Sequence, residues 1–575
     1  MNDLNIVTSS IRRRWKPIAI GSVFVVVTNL LHVVIPLIVG NTVDLLRETF
    51  IMRDLLLVCG LILFLEFTKG LSRFLMRYII IGTSWKIEND IRTRIYNHLL
   101  KLPLAYYNRS RTGDIIARIT NDLTAVRAMV GPAVMYSLNV GILLPSAFIF
   151  MFAMDSELAF YGIAPFPLIA LTIYLVGKKI HRLFKKVQES YSDISAHVQE
   201  NLNGIRVIKA YTSEKHELNT LKNLSLAYVK NNRRIIQLQS FFHPFLDILA
   251  STGVIIVLWV GGKKVVSGET TLGTLVSLIM YIGLLVWPAI ALGWIIGVFQ
   301  RGTASARRIT EILEEETERQ GDSADLQILT GAISVRDVHF SYNGDDEALK
   351  GVSFNVKSGE TLAIVGRTGS GKSTLLDILS GAYSVKRGVI FYDGVDINDL
   401  PLVQLRFSIA LVPQETFLFS ETVAENIAFG DENASGKDIK AAAAFAAINE
   451  EIEAYPDGYE TVLGERGITV SGGQRQRIAI ARALISNAPI LFFDDCLSNV
   501  DTATEMKILK NIRQIISNKT ALIVTQRLGA IKGADEILYM KNGVVIERGN
   551  HEELMTFDGE YAALFVEQES LETLE

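Results

Sequence analysis

Nine consecutive residues, Gly366-Arg367-Thr368-Gly369-Ser370-Gly371-Lys372-Ser373-Thr374, carry the spacing G-x-x-x-x-G-K-[ST] of a phosphate-cradling loop. The glycines let backbone N–H groups close around phosphate oxygens, and a helix that starts here adds its partial positive charge. The context is right: the apolar run Thr361–Val365 reads as a buried strand before the loop, and Thr374–Leu379 has a helical pattern after it. Lys372 is expected to reach the β- and γ-phosphates of a nucleoside triphosphate and Ser373 to ligate Mg²⁺. Ile490-Leu491-Phe492-Phe493 leads into Asp494, as a buried strand delivering a carboxylate to the same Mg²⁺ would. Taken alone, that segment reads equally well as an ordinary core strand with a terminal Asp. Paired with the loop, it completes a site for ATP and Mg²⁺.

Val470-Ser471-Gly472-Gly473-Gln474-Arg475-Gln476-Arg477, with Ser471 lying 23 residues before Asp494, resembles the signature motif of the ATP-binding cassette (ABC) superfamily. Ser471 and the N–H groups that follow it at a helix N-terminus make a second anion cradle. In the family this cradle closes on the γ-phosphate held by the opposite cassette. The resemblance extends to other motifs in order. It implies that Tyr342 stacks on adenine, that Gln414 senses Mg²⁺ and the membrane domain, and that Ser498-Asn499-Val500-Asp501 is the D-loop. Thr461 to Gly467 resembles the coupling segment of exporters. Tyr106 to Asp122 resembles the stretch carrying the first coupling helix, and Glu200 to Tyr211 the stretch leading into the second. The implied molecule is a half-transporter of the six-helix exporter fold that works by alternating access.

The sequence departs from that family at two positions, both of which serve hydrolysis. Where the family has a glutamate orienting the attacking water, this chain has Asp495. Where the family has a switch histidine against the γ-phosphate, it has Gln526. Asp is shorter by about one methylene, and a displacement of about 1 Å can cost roughly 100-fold in rate. Gln hydrogen-bonds but neither carries charge nor shuttles a proton. The expectation is a chain whose own site binds ATP and turns it over poorly, completed by a second half-transporter in a heterodimer. A slow homodimer in which Asp495 suffices is the alternative.

The elements that position these residues follow from the hydrophobic pattern. At 575 residues the chain exceeds one compact core. Six apolar stretches in the first 300 residues are long enough to cross a bilayer, near Pro17–Val39, Leu55–Tyr78, Ala128–Met154, Leu158–Val176, Phe241–Trp259 and Leu272–Phe299. Arg12, Arg13, Arg14 and Lys16 precede the first and place the N-terminus in the cytoplasm. The apolar run after them is too long for a cleavable signal. Loops after the second and fourth spans are long and charged (86–122 and 178–234), whereas the others are short. The expected architecture is a membrane all-α six-helix exporter domain with two cytoplasmic coupling helices at 1–312, a linker at 313–330, and an α/β P-loop nucleotide-binding domain at 331–575. The protein is expected to be multi-pass in the cell membrane with the nucleotide-binding domain in the cytoplasm.

A formal charge of −4 offers no basic footprint, which excludes nucleic acid as a partner. Two cysteines, Cys59 and Cys496, make neither a disulfide framework nor a metal cluster. Within the second span Glu66, Lys69, Arg73 and Arg77 fall on one helical face, Glu66 roughly 16 Å in from Leu55. They read either as the lining of a cavity or as an ion-pair seam with Asp247 or His243. Trp287 and Trp294 with Tyr136 and Asn139 read as an amphipathic pocket or as packing. The function expected is ATP-driven export of a hydrophobic or amphipathic compound, such as a drug, lipid or peptide. An exporter-fold importer and an ATP-gated channel-like protein are the rivals, since fold alone does not set direction.

Overall fold

The computed structural model describes residues 5–48, 52–319, 328–342, 344, 346–464, 467, 469–496, 504, 507–508, 510–511, 514, 519–527 and 531–572, with the backbone alone at 48, 243 and 570–572. The chain divides into two compact units, Met1–Leu100 with Arg111–Glu315 and Lys101–Ser110 with Glu316–Glu575.

The first unit is helical. Among the described residues six segments are long and apolar enough to cross a membrane: Trp15–Arg47, Met52–Leu99, Thr112–Met154, Ser156–Asn203, Glu214–Ser267 and Leu272–Glu314. Each contains one of the six apolar stretches. The helices overshoot those stretches because the polar sequences that follow are themselves good helix formers and water satisfies their side chains. Breaks occur where the local chemistry changes. Asp155 adopts an extended conformation, and its carboxylate accepts from the N–H groups of Glu157 and Leu158 at 3.1 and 3.0 Å, ending the third span and capping the fourth. Gly268 closes the fifth span at φ +80°, and Thr271 caps the sixth.

In lipid, helices associate through close packing and interhelical hydrogen bonds. The first and sixth spans do this at Gly40 and Gly273, where a Cβ at residue 273 would meet the carboxylate of Asp44 at 2.5 Å and the backbone of Gly40. Beside them Ser277 and Tyr281 donate to the carbonyls of Pro36 and Val33 at 2.8 and 2.6 Å. Leu63, Phe64 and Phe67 stand exposed on the second span, as lipid-facing side chains do. At the other end the third segment is fastened to the sixth by ion pairs. Asp122 accepts from Ser305 at 2.8 Å and pairs with Arg308 at 3.0 Å, and Arg308 also holds Asp114 at 2.5 Å.

The second unit carries two sheets among its described residues. The larger has the order β10-β9-β3-β8-β7-β6, built from β3 (Thr361–Val365), β6 (Ile409–Val412), β7 (Ile490–Asp494), β8 (Thr520–Val524), β9 (Glu536–Lys541) and β10 (Val544–Gly549). All its pairings are parallel except that of β10 with β9. β3 and β7 are buried at every residue, which is why they read as unbroken apolar runs. The smaller sheet, order β2-β1-β4-β5, is antiparallel and consists of β1 (Ile333–Ser341), β2 (Glu347–Val356), β4 (Ile390–Tyr392) and β5 (Val395–Asp396). Ligands of such sheets bind outside the carboxyl ends of the parallel strands. Here the ends of β3, β7, β8 and β6 bring Gly366, Asp494, Gln526 and Gln414 to one edge.

Candidate nucleotide site

The loop after β3 turns on glycines that no other residue replaces easily. Gly369 and Gly371 sit at φ +80° and +99°, and a Cβ at residue 371 would meet the carbonyl oxygen of Ala348 at 2.7 Å. A Cβ at Gly366 would run into the Met540 carbonyl. The helix Lys372–Leu379 begins at Gly371 with no side-chain cap, so its first N–H groups point into the loop unclaimed by a side chain. Lys372 is buried and donates to the carbonyls of Gly366 and Arg367 at 2.8 and 2.9 Å, and more weakly to Ser370 at 3.4 Å. Burial pulls its pKa down, while the charges of Asp495 and Asp494 push it up.

Ser373 donates to Asp494 at 3.1 Å, joining the loop to the end of β7. Burial raises the pKa of Asp494, the nearby charge of Asp495 adds to that, and the Ser373 hydrogen bond opposes it. A half-buried carboxyl nearby on the loop helix, Asp377, is pushed up to about 6 by burial and by Asp494. Asp495 follows in the left-handed region at φ +42°, its N–H held by the Val524 carbonyl at 2.8 Å. Gln526, just beyond β8, donates to the Thr368 hydroxyl at 3.2 Å, and its carbonyl accepts from Gln568. Both departures from the ABC pattern therefore stand around the loop. Gln414 is exposed beyond β6 and makes no hydrogen bond to Ser373 or Asp494. The structure brings it to the same sheet edge without a hydrogen bond to either residue.

Tyr342 ends the approach from β1. It is half exposed, donates to Thr374 at 2.9 Å, and meets the Tyr383 ring edge-on at 5.3 Å. Tyr383 accepts from Asn108 at 2.6 Å, and Asn108 lies in the short helix Leu104–Arg109 that packs with this unit. Sequence reading missed this link; its one signal is an aromatic residue just past the loop helix.

The signature segment forms the start of the helix Gly472–Ile485. Ser471 is its N-cap, accepting from the Gln474 N–H at 3.2 Å while the Gln474 side chain accepts from the Ser471 N–H at 2.8 Å. Gly472 and Gly473 occupy the first turn. Glu451, also unforeseen, accepts from Gln474 at 2.9 Å and pairs with Arg477 at 2.6 Å, locking the helix start. The expected D-loop, Ser498 to Asp501, lies outside the described residues, as do residues 465, 466 and 468 of the region before the signature.

A model described as "ABC transporter transmembrane region" matches residues 18–289, and one described as "ABC transporter" matches residues 349–498. A probable multidrug resistance ABC transporter ATP-binding/permease protein of Bacillus subtilis (strain 168) is 36% identical over 560 residues, covering 96% of each chain. This chain belongs to the ABC transporter family. A multidrug resistance-like ATP-binding protein of Escherichia coli (strain K12) is 35% identical, covering 96% of this chain and 94% of that one. An ATP-dependent lipid A-core flippase of Aromatoleum aromaticum is 35% identical, covering 87% and 83%. The fold is that of a bacterial Atm1-family ABC exporter solved with ATP bound, with a TM-score of 0.79 at 26% identity over 97% of this chain and 98% of that one. The protein is thus an ABC-type transport ATPase, a multi-pass membrane protein with a cytoplasmic nucleotide-binding domain.

Within the spans of this transporter, Lys69 is buried and pairs with Glu66 at 2.5 Å. Asp247 is exposed, so it is not the partner of a buried seam, and the side chain of His243 lies outside the described residues. Arg73 and Arg77 line a cavity of about 390 Å³ together with His32, Asn139, Tyr136 and Trp287. The Tyr136 ring lies 5.5 Å from that of Trp287 and 5.4 Å from that of Trp294.

Proposed function

We propose that this chain is one half of a heterodimeric exporter of hydrophobic or amphipathic compounds. In this reading its own P-loop site holds ATP and Mg²⁺ with slow turnover, and its signature helix completes the fast site on a second half-transporter. The observation that carries the proposal is the pair Asp495 and Gln526, both set around an otherwise complete loop. The printed names of relatives, multidrug transporters and a lipid A-core flippase, support an apolar or amphipathic cargo. We assign residues 1–312 to the membrane domain, 313–330 to the linker and 331–575 to the cassette.

The roles follow from the geometry. Gly366 to Thr374 offer backbone N–H groups to the phosphates, and Lys372 moves from its loop carbonyls to phosphate oxygens, an exchange of like hydrogen bonds. Tyr342 presents its exposed ring to adenine. Ser373 and Asp494 fit a hard cation, being two oxygen donors 3.1 Å apart, one of them a buried carboxylate whose charge a cation would stabilise. Gln414, at the same sheet edge, is the third metal-side residue in this reading. Bound Mg²⁺ would supply neutralisation of phosphate charge. Asp495, short and backbone-tethered, holds an attacking water poorly, and Gln526 gives the γ-phosphate a neutral donor where a histidine would give a charged one. Ser471 and the N–H groups of Gly472 and Gly473 face the partner's γ-phosphate, the Gln474 N–H being held by the Ser471 hydroxyl.

The test is to purify this chain without a partner and measure ATP binding and steady-state hydrolysis with Mg²⁺. Tight binding with little turnover, restored on adding the partner half, is expected. Vigorous hydrolysis by the chain alone would favour the homodimer.

A further inference from the structure

Two arginines of the second span have no use in the nucleotide chemistry. Arg73 and Arg77 are one helical turn apart and line two cavities, the one of about 390 Å³ described above and another of about 810 Å³ that also reaches Arg14 and Lys86. Among the described residues no Asp or Glu lines either cavity. The acid of the same helical stripe, Glu66, is taken by Lys69 at 2.5 Å, and Arg14 is paired with Asp90 at 2.7 Å. Among the described residues Arg73 and Arg77 have no ion pair. Charged side chains inside a span are costly and are kept facing wet cavities or counter-charges, so two unpaired guanidinium groups side by side call for an anion. Guanidinium pairs bind the oxygens of phosphate and carboxylate in a forked geometry. Thr28, His32 and Asn139 add neutral polar groups and an imidazole to the smaller cavity, and one side of it is apolar and aromatic, with Tyr136 and Trp287 in contact and Met76 and Leu143 also lining it.

We infer that Arg73 and Arg77 form an anion subsite, and that the cargo is an amphiphile with a phosphate- or sulfonate-type head and an apolar body lying against Tyr136 and Trp287. The inference rests on the proposed exporter reading and narrows its cargo from amphiphiles in general to anionic ones. Such a head could belong to a lipid phosphomonoester drawn from the inner leaflet or to a soluble organic anion from the cytosol, and the two sources are separable.

The experiment uses the full transporter with its partner half in phosphatidylcholine nanodiscs, and reads equilibrium binding by tryptophan quenching without nucleotide. Three probes with one twelve-carbon tail are compared: dodecyl phosphate, dodecyl sulfonate and dodecyltrimethylammonium. Wild type should bind both anions at least about tenfold tighter than the cation. Arg73→Gln/Arg77→Gln should erase that preference, and Arg73→Lys/Arg77→Lys should keep most of it. Lysophosphatidic acid against a naphthalene disulfonate then separates leaflet from cytosolic sources. Equal binding of anion and cation by wild type, or a preference that survives in the glutamine pair, overturns the inference. So does a glutamine pair that no longer assembles with its partner while the lysine pair shows no head preference, which would make these arginines assembly residues. Because binding is read without ATP, failure here leaves the exporter reading standing. That reading fails separately if no amphiphile of either charge is moved on ATP addition.

Discussion

The cassette holds two glycine-rich helix starts built for anions, and they differ in how much of their chemistry is intact. At Gly371 the helix has no side-chain cap and its lysine folds back on loop carbonyls, leaving backbone donors ready for phosphates. At Ser471 a capping box and the Glu451–Arg477 pair already hold the first turn, and because the Ser471 hydroxyl accepts from the backbone its proton is left to donate outward. The first start is surrounded by Asp495 and Gln526, whereas the second has lost nothing. In the proposed reading the difference teaches that binding and turnover are separate properties, with phosphate affinity coming from loop geometry and rate from two side chains at the ends of β7 and β8.

Breaking the signature end should have the largest effect. Ser471→Arg puts a bulky cation where the partner's γ-phosphate must approach N–H groups, and steady-state ATPase of the assembled transporter should fall by about 100-fold or more. Next comes Lys372→Ala, which removes a phosphate contact worth roughly 1.5–3 kcal/mol, so ATP affinity at this chain's own site should weaken by about one to two decades. Assembled turnover should drop by less than with Ser471→Arg, since no chemical group leaves the fast site. Nucleotide-binding titrations beside turnover measurements separate the two variants.

A smaller effect sharpens the link from the P-loop end to the Leu104–Arg109 helix. Tyr383→Phe and Asn108→Ala each remove one hydrogen bond worth about 0.5–1.5 kcal/mol. Each should reduce cargo stimulation of the ATPase by about two- to tenfold while ATP affinity stays within about twofold, and the double variant should lose no more than either single one. Additive losses would mean that the 2.6 Å contact is not shared in this way.

Most of this could be read from sequence because it is local. The loop, the signature start and β7 are consecutive residues whose spacing fixes their conformation, and six long apolar runs leave few options in a bilayer. What stayed hidden depends on distant pairs. Tyr383 meets Asn108 across 275 positions, and Glu451 reaches Gln474 across 23. Nothing in either neighbourhood marks the partner, because such contacts are made by tertiary packing. The stripe on the second span shows the same limit. Its periodicity put Glu66, Lys69, Arg73 and Arg77 on one face, but only side-chain geometry divides it into a closed pair and two arginines facing cavities.

The smallest effect is also the most direct test of the proposed division of labour. Asp495→Asn removes the charge of the residue that stands where the family places its catalytic glutamate, and steady-state ATPase of the assembled transporter carrying it is the measurement. The account predicts turnover within about threefold of wild type, because a carboxylate about one methylene too short contributes little to positioning water. Loss of turnover as complete as with Ser471→Arg would show that this chain's own site performs the hydrolysis, contradicting the account.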